Sequence, residues 1–128
     1  MSYICNNYKD LENKPPVGSR QCVALIQECA KAPLTASWRE GKQVRRNSLL
    51  PPGTAIATFV NGRYPNRPHG NHAAIYVRQD ATAIYVLDQW KDDKKTRITI
   101  RPIRFLGKDK DGNFINPSNN GDAFSVIE

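Results

Sequence analysis

Two apolar runs with different periodicities, each opened by a reactive side chain, constrain the fold of this chain most strongly. After Cys22, apolar side chains recur at helical spacing through residues 23–30, until Pro33 prevents the helix from continuing. His72 opens the second run, residues 73–77, which is continuously apolar and has the length of a strand. The chain therefore predicts a thiol at a helix start and an imidazole at a strand start, the order expected of a cysteine nucleophile and its base.

The start of the predicted helix suits a reactive thiol. Ser19 is a favourable N-cap residue, which predicts that Cys22 lies in the first turn. The exposed amide groups of a helix start stabilise a thiolate and lower its pKa. The same amides can hold an oxyanion, and Gln21, directly before Cys22, offers a further side-chain donor.

The rest of the chain predicts mainly strands. Residues 54–60, 72–77, 83–90, 97–105 and 122–127 have apolar or alternating patterns bounded by turn residues. Together with the early helix they predict an α+β fold, in which the helix packs on an antiparallel sheet of about five strands. A chain of 128 residues fits one domain, here 1–128.

Core positions in the less regular segments are predicted from single apolar residues. Residues 33–52 are interpreted as a short helix or an irregular connection, and residues 97–105 alternate between basic and apolar side chains. The residues expected inside from these two segments are Trp38, Val44, Ile98, Ile100 and Ile103.

Asp88 is the best candidate for a group that orients the imidazole. It lies near the end of the run 83–90, and hairpin pairing with the run 72–77 would bring it close to His72. Gln89 would point to the opposite face and is held in reserve as the third group or as an oxyanion donor. A lone Asp at a strand end is more often a turn or cap residue, but its coincidence with the other two candidates favours a functional role.

A proline-rich, basic loop over residues 63–71 leads into His72 and is predicted to form a wall of the substrate cleft. The residues expected to bind substrate are Arg63, Tyr64, His69, Asn71 and Trp90. The two histidines have no third ligand at a suitable spacing, so neither a metal nor an organic cofactor is predicted. His69, which precedes a glycine, is expected to face solvent or the substrate.

Two cysteines remain once Cys22 is set aside as the nucleophile. Cys5 and Cys29 have no paired spacing of the kind that zinc sites use. They either form a disulfide in an oxidising compartment or remain two buried thiols. The second alternative is favoured, because Cys29 falls on the apolar stripe of the predicted helix and small buried cysteines are common.

The formal net charge of +7 indicates an anionic partner. Nucleic acid and the cell wall, whose stem peptides carry free carboxylates, both fit, but the basic residues are scattered and not interleaved with aromatic ones, which argues against nucleic acid. No stretch approaches the length of a membrane span, so membrane insertion is not expected. Residues 1–14 lack the pattern of a Sec signal peptide, so any export is expected to use another route.

Three segments carry a family resemblance. Residues 21–25, 72–77 and 86–90 resemble the corresponding parts of the cysteine, histidine-dependent amidohydrolase/peptidase (CHAP) domains and of NlpC-type peptidoglycan hydrolases, which are papain-like enzymes. Residues 52–57 are similar to the strand before the histidine in that group, so the likeness spans roughly residues 18–90. More narrowly, the small size, the missing signal peptide and the missing wall-binding module resemble the amidase effectors of bacterial type VI secretion.

The resemblance implies a papain-like cysteine hydrolase in which Cys22 is the nucleophile, His72 the general base and Asp88 the orienting group. It departs from CHAP domains at the third segment, where a Glu and, two residues on, an Asn are replaced by Asp88 and Trp90. The implied activity is cleavage of stem-peptide or cross-link amide bonds in the periplasm of a rival cell, with a cognate immunity protein protecting the producer. Two alternatives remain: a cysteine peptidase or acyltransferase with another substrate, and a small basic binding protein in which Cys22 belongs to the core.

Overall fold

The computed structural model describes residues 2–65 and 67–128. Within these residues a single α-helix, α1 (Cys22–Cys29), precedes six strands: β1 (Glu40–Gln43), β2 (Ala55–Thr58), β3 (Ala73–Gln79), β4 (Ala83–Asp88), β5 (Thr99–Arg104) and β6 (Phe124–Ile127). Short 3-10 turns occupy Tyr8–Leu11, Thr35–Ser37, Pro117–Asn119 and Gly121–Ala123. The strands form one antiparallel sheet in the order β1-β6-β2-β3-β4-β5. The predicted α+β class is confirmed, with six strands instead of about five.

The additional strand is β1, which lies at one edge of the sheet and pairs only with β6. The prediction of a short helix or irregular connection over residues 33–52 missed it, because its sequence, Glu-Gly-Lys-Gln, has no apolar alternation. An edge strand that buries neither face carries no such signal. Trp38 and Val44, on either side of β1, are fully buried as predicted.

The helix packs on β3, and the sheet divides the core into two clusters, one on each face. On the helix side, Leu25 and Ile26 meet the sheet residues Ile75 and Leu87, and all four are fully buried. The opposite face has its own cluster, which includes Ile56, Tyr76, Val86, Ile103 and Phe124. Burying each large aliphatic side chain contributes about 1.5–3 kcal/mol, so the helix is held to the centre of the sheet and its first residue to the sheet's end.

Strand β5 corrects one expectation about the core. Ile98 and Ile103 are buried, but Ile100 is 37 % exposed. Ile100 pairs with Leu87 and therefore shares the helix-side face. The prediction for Ile100 was wrong because β5 is an edge strand and the helix packs over β3, so nothing from the helix covers this position.

Cys5 and Cys29 form a disulfide, which corrects the preference for two buried thiols. Their Cα atoms are 5.2 Å apart, within the range that a disulfide spans. Since Cys29 is the last residue of α1, the bond ties the end of the helix to the amino-terminal segment. No helix among the described residues has the length and hydropathy needed to cross a membrane.

Reducing this disulfide is expected to lower the free energy of unfolding by about 3 kcal/mol, because the bond closes a loop with a sequence separation of 24. Urea unfolding with and without dithiothreitol measures the effect. The experiment is best done on a Cys22→Ala background, where no free thiol remains to exchange with the disulfide. An unchanged unfolding midpoint after reduction would show that the bond is absent or contributes nothing.

Candidate active site

The thiol of Cys22 lies at the start of α1. Cys22 is the first residue of the helix, which confirms its predicted place in the first turn. The N-cap residue is Gln21, not Ser19 as predicted; the Ser19 hydroxyl instead accepts a weak hydrogen bond, 3.4 Å, from the Gln21 amide. Cys22 is partly buried and is the free cysteine, because the other two are joined to each other.

A tyrosine hydroxyl approaches the Cys22 sulfur from the loop before β3. Tyr64 Oη lies 3.6 Å from Cys22 Sγ and 3.1 Å from the Asn71 side-chain amide. The Tyr64 ring is nearly buried and packs edge-on against Trp38, with ring centroids 5.0 Å apart. Burial, followed by the charge of Cys22, raises the pKa of Tyr64, so this hydroxyl stays protonated next to the sulfur.

The imidazole of His72 is held at the end of the sheet, immediately before β3. Its backbone amide donates to Thr58 Oγ1 on the neighbouring strand at 3.0 Å, and its side chain is 8 % exposed. The ring contacts Trp90 and Phe124 edge-on, each at 6.3 Å between centroids. Nε2 lies 2.8 Å from Asp88 Oδ2. The ring borders the same cleft as the Cys22 thiol and lies close enough to shift the pKa of that thiol. With Nε2 engaged by the carboxylate, Nδ1 is left for the thiol.

A β-bulge between β3 and β4 decides which face of the sheet Asp88 occupies. The paired residues are Gln79 and Ile84, Arg78 and Tyr85, Tyr76 and Val86, and Ile75 and Leu87, with a shift of register in the middle. Without that shift, Asp88 would lie opposite Ile75 and face the helix side. With it, Asp88 comes opposite Ala74, and alternation along the strand puts His72 on the same side.

Asp88 is fully buried among cationic groups. Arg101 Nε lies 2.7 Å from its Oδ2, the oxygen that also contacts His72, and Lys95 Nζ lies 3.8 Å from its Oδ1. Oδ1 has no hydrogen-bond partner in the described part of the chain. Burial raises the pKa of Asp88, but the hydrogen bond and charge of His72, with the charge of Arg101, outweigh it and hold that pKa below its usual value. The carboxylate is therefore ionised at neutral pH.

The thiol and the imidazole shift each other's pKa in opposite directions. Burial raises the pKa of Cys22, but the hydrogen bond and positive charge of His72 outweigh burial and keep that pKa below 9.0. Burial lowers the pKa of His72, but Asp88 and Cys22 outweigh it and raise that pKa from 6.5 to about 9. Both directions favour a thiolate next to an imidazolium, the charge state of an activated cysteine nucleophile.

Gln89 does not reach the imidazole, so the reserve assignment as the third group is wrong. It is fully buried, and its side chain makes hydrogen bonds to the Val17 amide, the Val17 carbonyl and the Gln21 carbonyl, at 2.8, 3.0 and 2.8 Å. Its Oε1 accepts one hydrogen bond and its Nε2 donates two, all to the backbone just before α1. Since both N–H groups are occupied, Gln89 has no donor left for an oxyanion. Gln21 itself is exposed and borders the cleft next to Cys22.

The site opens into a cleft with two arms, which share the lining residues Pro68, Asn71, His72 and Trp90. The first, which we call the thiol arm, has a volume of about 690 Å³ and is bordered by Gln21, Cys22, Val23, Thr35, Tyr64, Arg67, Pro68, Asn71, His72, Trp90 and Lys91. The second, the outer arm, has a volume of about 520 Å³ and is bordered by Pro68, His69, Gly70, Asn71, His72, Trp90, Arg101, Asn116, Ser118 and Asn119. Both volumes are ordinary for ligand-binding pockets.

Most residues predicted to bind substrate border this cleft. Tyr64, His69, Asn71 and Trp90 do so, whereas Arg63 is outside its lining and donates to the Ala36 carbonyl at 3.4 Å. Arg67, Pro68 and Gly70 also border the cleft and belong to the loop 63–71 that was predicted as its wall. The cleft residues that sequence reasoning missed are Val23, Thr35, Lys91, Arg101, Asn116, Ser118 and Asn119. Nothing local marks the last three, which lie in a polar segment far along the chain and reach the site only through the fold.

Comparisons with known proteins identify the relatives of this chain. A family model described as "Domesticated amidase effector 2" matches residues 1–127. A "Type VI secretion amidase effector 2 protein" from Salmonella typhi is 44% identical over 133 residues, which cover 100% of both chains. The solved structure of a "Type 6 secretion amidase effector 2" superposes with a TM-score of 0.91 at 44% identity, covering 98% of this chain and 94% of that one. The resemblance to small type VI secretion amidase effectors is confirmed, and the chain belongs to the domesticated amidase effector 2 family.

Proposed function

We propose that this protein is a cysteine-dependent peptidoglycan amidase, delivered by type VI secretion, in which Cys22 is the nucleophile, His72 the general base and acid, and Asp88 the group that orients His72. The observation that carries the proposal is the arrangement of three groups: a helix-start thiol, a buried imidazole that borders the same cleft, and a buried carboxylate 2.8 Å from that imidazole. Family membership supplies the amidase class and the secretion route.

The reaction is acyl transfer to sulfur followed by hydrolysis. The Cys22 thiolate attacks the carbonyl carbon of a stem-peptide amide, forming a C–S bond and an oxyanion. Gln21 borders the cleft next to Cys22, so its side chain and the backbone amides at the start of α1 are the donors available to that oxyanion. The His72 imidazolium then protonates the leaving amine as the C–N bond breaks.

Water completes the cycle. Neutral His72 removes a proton from a water molecule, which attacks the acyl carbon; the C–S bond breaks, and the thiolate and imidazolium are restored. Asp88 keeps the ring orientation and stabilises the imidazolium in both steps, and it stays ionised throughout. Arg101 acts on His72 through Asp88 and is therefore a positioning residue.

The charge of the protein suits an anionic wall. The net charge is +7, and the two arms of the cleft are bordered by Arg67, Lys91 and Arg101. Peptidoglycan stem peptides carry free carboxylates, which such cations attract. In this proposal the protein acts in the periplasm of a target cell, and a cognate immunity protein protects the producer.

Digestion of purified sacculi tests this function. Wild-type protein is expected to release soluble muropeptides, detected by mass spectrometry, and to leave a protein substrate such as casein intact. Cleavage of casein without release of muropeptides would favour the cysteine peptidase alternative. Resistance of Cys22 to alkylating agents at neutral pH in the folded protein, together with no hydrolysis, would favour a binding protein.

Hydrolysis is expected to have an alkaline limit near pH 9. The pKa of His72 is raised to about 9, so the imidazolium that protonates the leaving amine is lost as the pH rises through that value. The dependence of kcat/KM on pH measures this limit, and the rate of Cys22 alkylation serves as the control, because it requires only the thiolate and should not fall above pH 9. A parallel fall of both rates would point to unfolding instead of loss of the acid.

A further inference from the structure

The outer arm of the cleft has a lining suited to an anion. The side chains that border it, together with Arg101, include those of six polar residues: His69, Asn71, His72, Asn116, Ser118 and Asn119. No Asp or Glu belongs to its lining in the described parts of the chain. A pocket that presents hydrogen-bond donors and one permanent cation, with no carboxylate of its own, favours a negatively charged ligand.

Arg101 has donors to spare in this arm. Its Nε is committed to Asp88 at 2.7 Å, but its terminal guanidinium nitrogens make no hydrogen bond to any residue that the structure describes. The side chain is 24 % exposed. Two parallel N–H groups of a guanidinium match the two oxygens of a carboxylate, so the free side of Arg101 suits that group better than a single-point acceptor.

The charge around the imidazole adds to this attraction. In the thiolate–imidazolium state, the negative charges of Cys22 and Asp88 are met by the positive charges of His72, Arg101 and Lys95. The cluster therefore retains an excess of one positive charge, and its member Arg101 belongs to the lining of the outer arm. A carboxylate bound there would balance it.

The position of the arm indicates which side of the scissile bond is recognised. The outer arm borders His72 but not Cys22, whereas the thiol arm borders both. The carbonyl carbon must lie at the sulfur, and the leaving nitrogen must lie at the imidazole that protonates it. The portion of substrate beyond the leaving nitrogen is then the portion that enters the outer arm.

We infer that the outer arm is a binding subsite for a carboxylate on the leaving-amine side of the scissile amide, with Arg101 as its anchor and the side chains of Asn116, Ser118 and Asn119 as additional donors. The inference rests on the proposed function and specifies its substrate: an amide whose amine half carries a free carboxylate close to the bond that is cut.

Binding to Cys22→Ala protein tests the subsite without turnover. The probes are synthetic cross-linked stem peptides in three forms: all carboxylates free, the carboxylate next to the leaving amine converted to a carboxamide, and a carboxylate on the acyl side converted instead. Calorimetric titration is expected to give binding about 10- to 100-fold weaker for the amine-side carboxamide, since a lost hydrogen bond to a charged group has that effect. The acyl-side carboxamide is expected to bind within about threefold of the free form.

A charge placed in the arm gives an independent readout that leaves Arg101 and its contact with Asp88 intact. Asn119 is exposed at the rim, so Asn119→Asp and Asn119→Lys are expected to fold normally, which thermal unfolding checks. In the Cys22→Ala background, Asn119→Asp should weaken binding of the free-carboxylate peptide about threefold or more and Asn119→Lys should strengthen it, with little change for the amine-side carboxamide. Asn6→Asp, an exposed position outside the cleft lining, is the matched control and should change neither.

The outcomes are decisive in both directions. Equal affinity for the free peptide and the amine-side carboxamide, no binding of any probe, or an Asn119→Asp effect of the same size on both peptides would overturn the subsite. Hydrolysis of the free peptide by wild-type protein is measured in parallel. If hydrolysis fails while the carboxylate dependence of binding holds, the proposed function falls and the anion site stands.

Discussion

Cys22→Ala protein is expected to release no detectable muropeptides from sacculi, with kcat lowered about 10⁴-fold or more. The substitution removes the sulfur that forms the acyl intermediate, and neither the imidazole nor the helix-start amides can replace it as a nucleophile. Quantitative mass spectrometry of the digests, with equal enzyme and time, measures the loss. The fold should persist, because Cys22 is only partly buried and takes no part in the disulfide.

Ser19→Ala is a matched control for this substitution. Ser19 lies in the same segment before the helix, is exposed, and accepts one weak hydrogen bond within the described part of the chain, from the Gln21 amide. Its activity should stay within about threefold of wild type, since exposed substitutions of this kind change stability little. Identical muropeptide patterns from wild-type and Cys22→Ala protein would contradict the assignment of the nucleophile.

Asp88→Asn protein is expected to lose about 10³- to 10⁴-fold in kcat, because a neutral amide neither stabilises the imidazolium nor enforces the orientation that leaves Nδ1 facing the thiol. Asp88 is one of the two groups that raise the pKa of His72, so that pKa should fall. The alkaline limit of hydrolysis should therefore move from about 9 to a lower pH. The kcat/KM profile against pH measures both changes.

Stability should change together with the pH profile in this variant. Asp88→Asn leaves Arg101 and Lys95 without their carboxylate, so the free energy of unfolding should decrease, which urea titration measures. In wild type, the raised pKa of His72 means that its pairing stabilises the fold fully below pH 6.5 and that this stabilisation is lost as the pH rises through about 9.

Asp80→Asn is the control for Asp88→Asn. Asp80 is an exposed carboxylate in the turn of the same hairpin. It accepts hydrogen bonds from the Thr82 amide and the Tyr85 hydroxyl, and it does not border the cleft. Its substitution should leave the alkaline limit in place. An Asp88→Asn protein with activity within a few-fold of wild type and an unmoved alkaline limit would remove Asp88 from the mechanism.

The elements that carry the thiol and the imidazole were predictable because their signals are local. A helix period ended by Pro33 places Cys22, and a continuous apolar run places His72 at a strand start. Asp88 was expected near His72 from its position along the chain, but the face of the sheet that it occupies depends on the bulge in β3. A bulge of one residue leaves no mark in an apolar run, so the sequence alone cannot decide between the two registers.

Features that depend on contacts between distant parts of the chain could not be predicted from the sequence. The outer arm draws on Arg101 and on residues 116–119, which are polar and not periodic, and only the sheet order brings them to His72. Arg63 was expected in the cleft because of its neighbours in the chain, yet its side chain turns toward Ala36. The disulfide was missed for the same reason: pairing of Cys5 with Cys29 depends on how the amino-terminal segment crosses the helix end.

The end of β4 links the two halves of the reactive centre mechanically. Two consecutive residues bind different groups there. Asp88 is hydrogen-bonded to the imidazole of His72, and Gln89 is hydrogen-bonded to the backbone of Val17 and Gln21, just before Cys22. Because these two residues are adjacent, a displacement of this strand end would move the imidazole and the backbone ahead of the sulfur in the same direction and would change their separation less than their positions. Preorganisation of this kind keeps the sulfur and the ring in register for attack even while the walls of the cleft adapt to a bulky polymer.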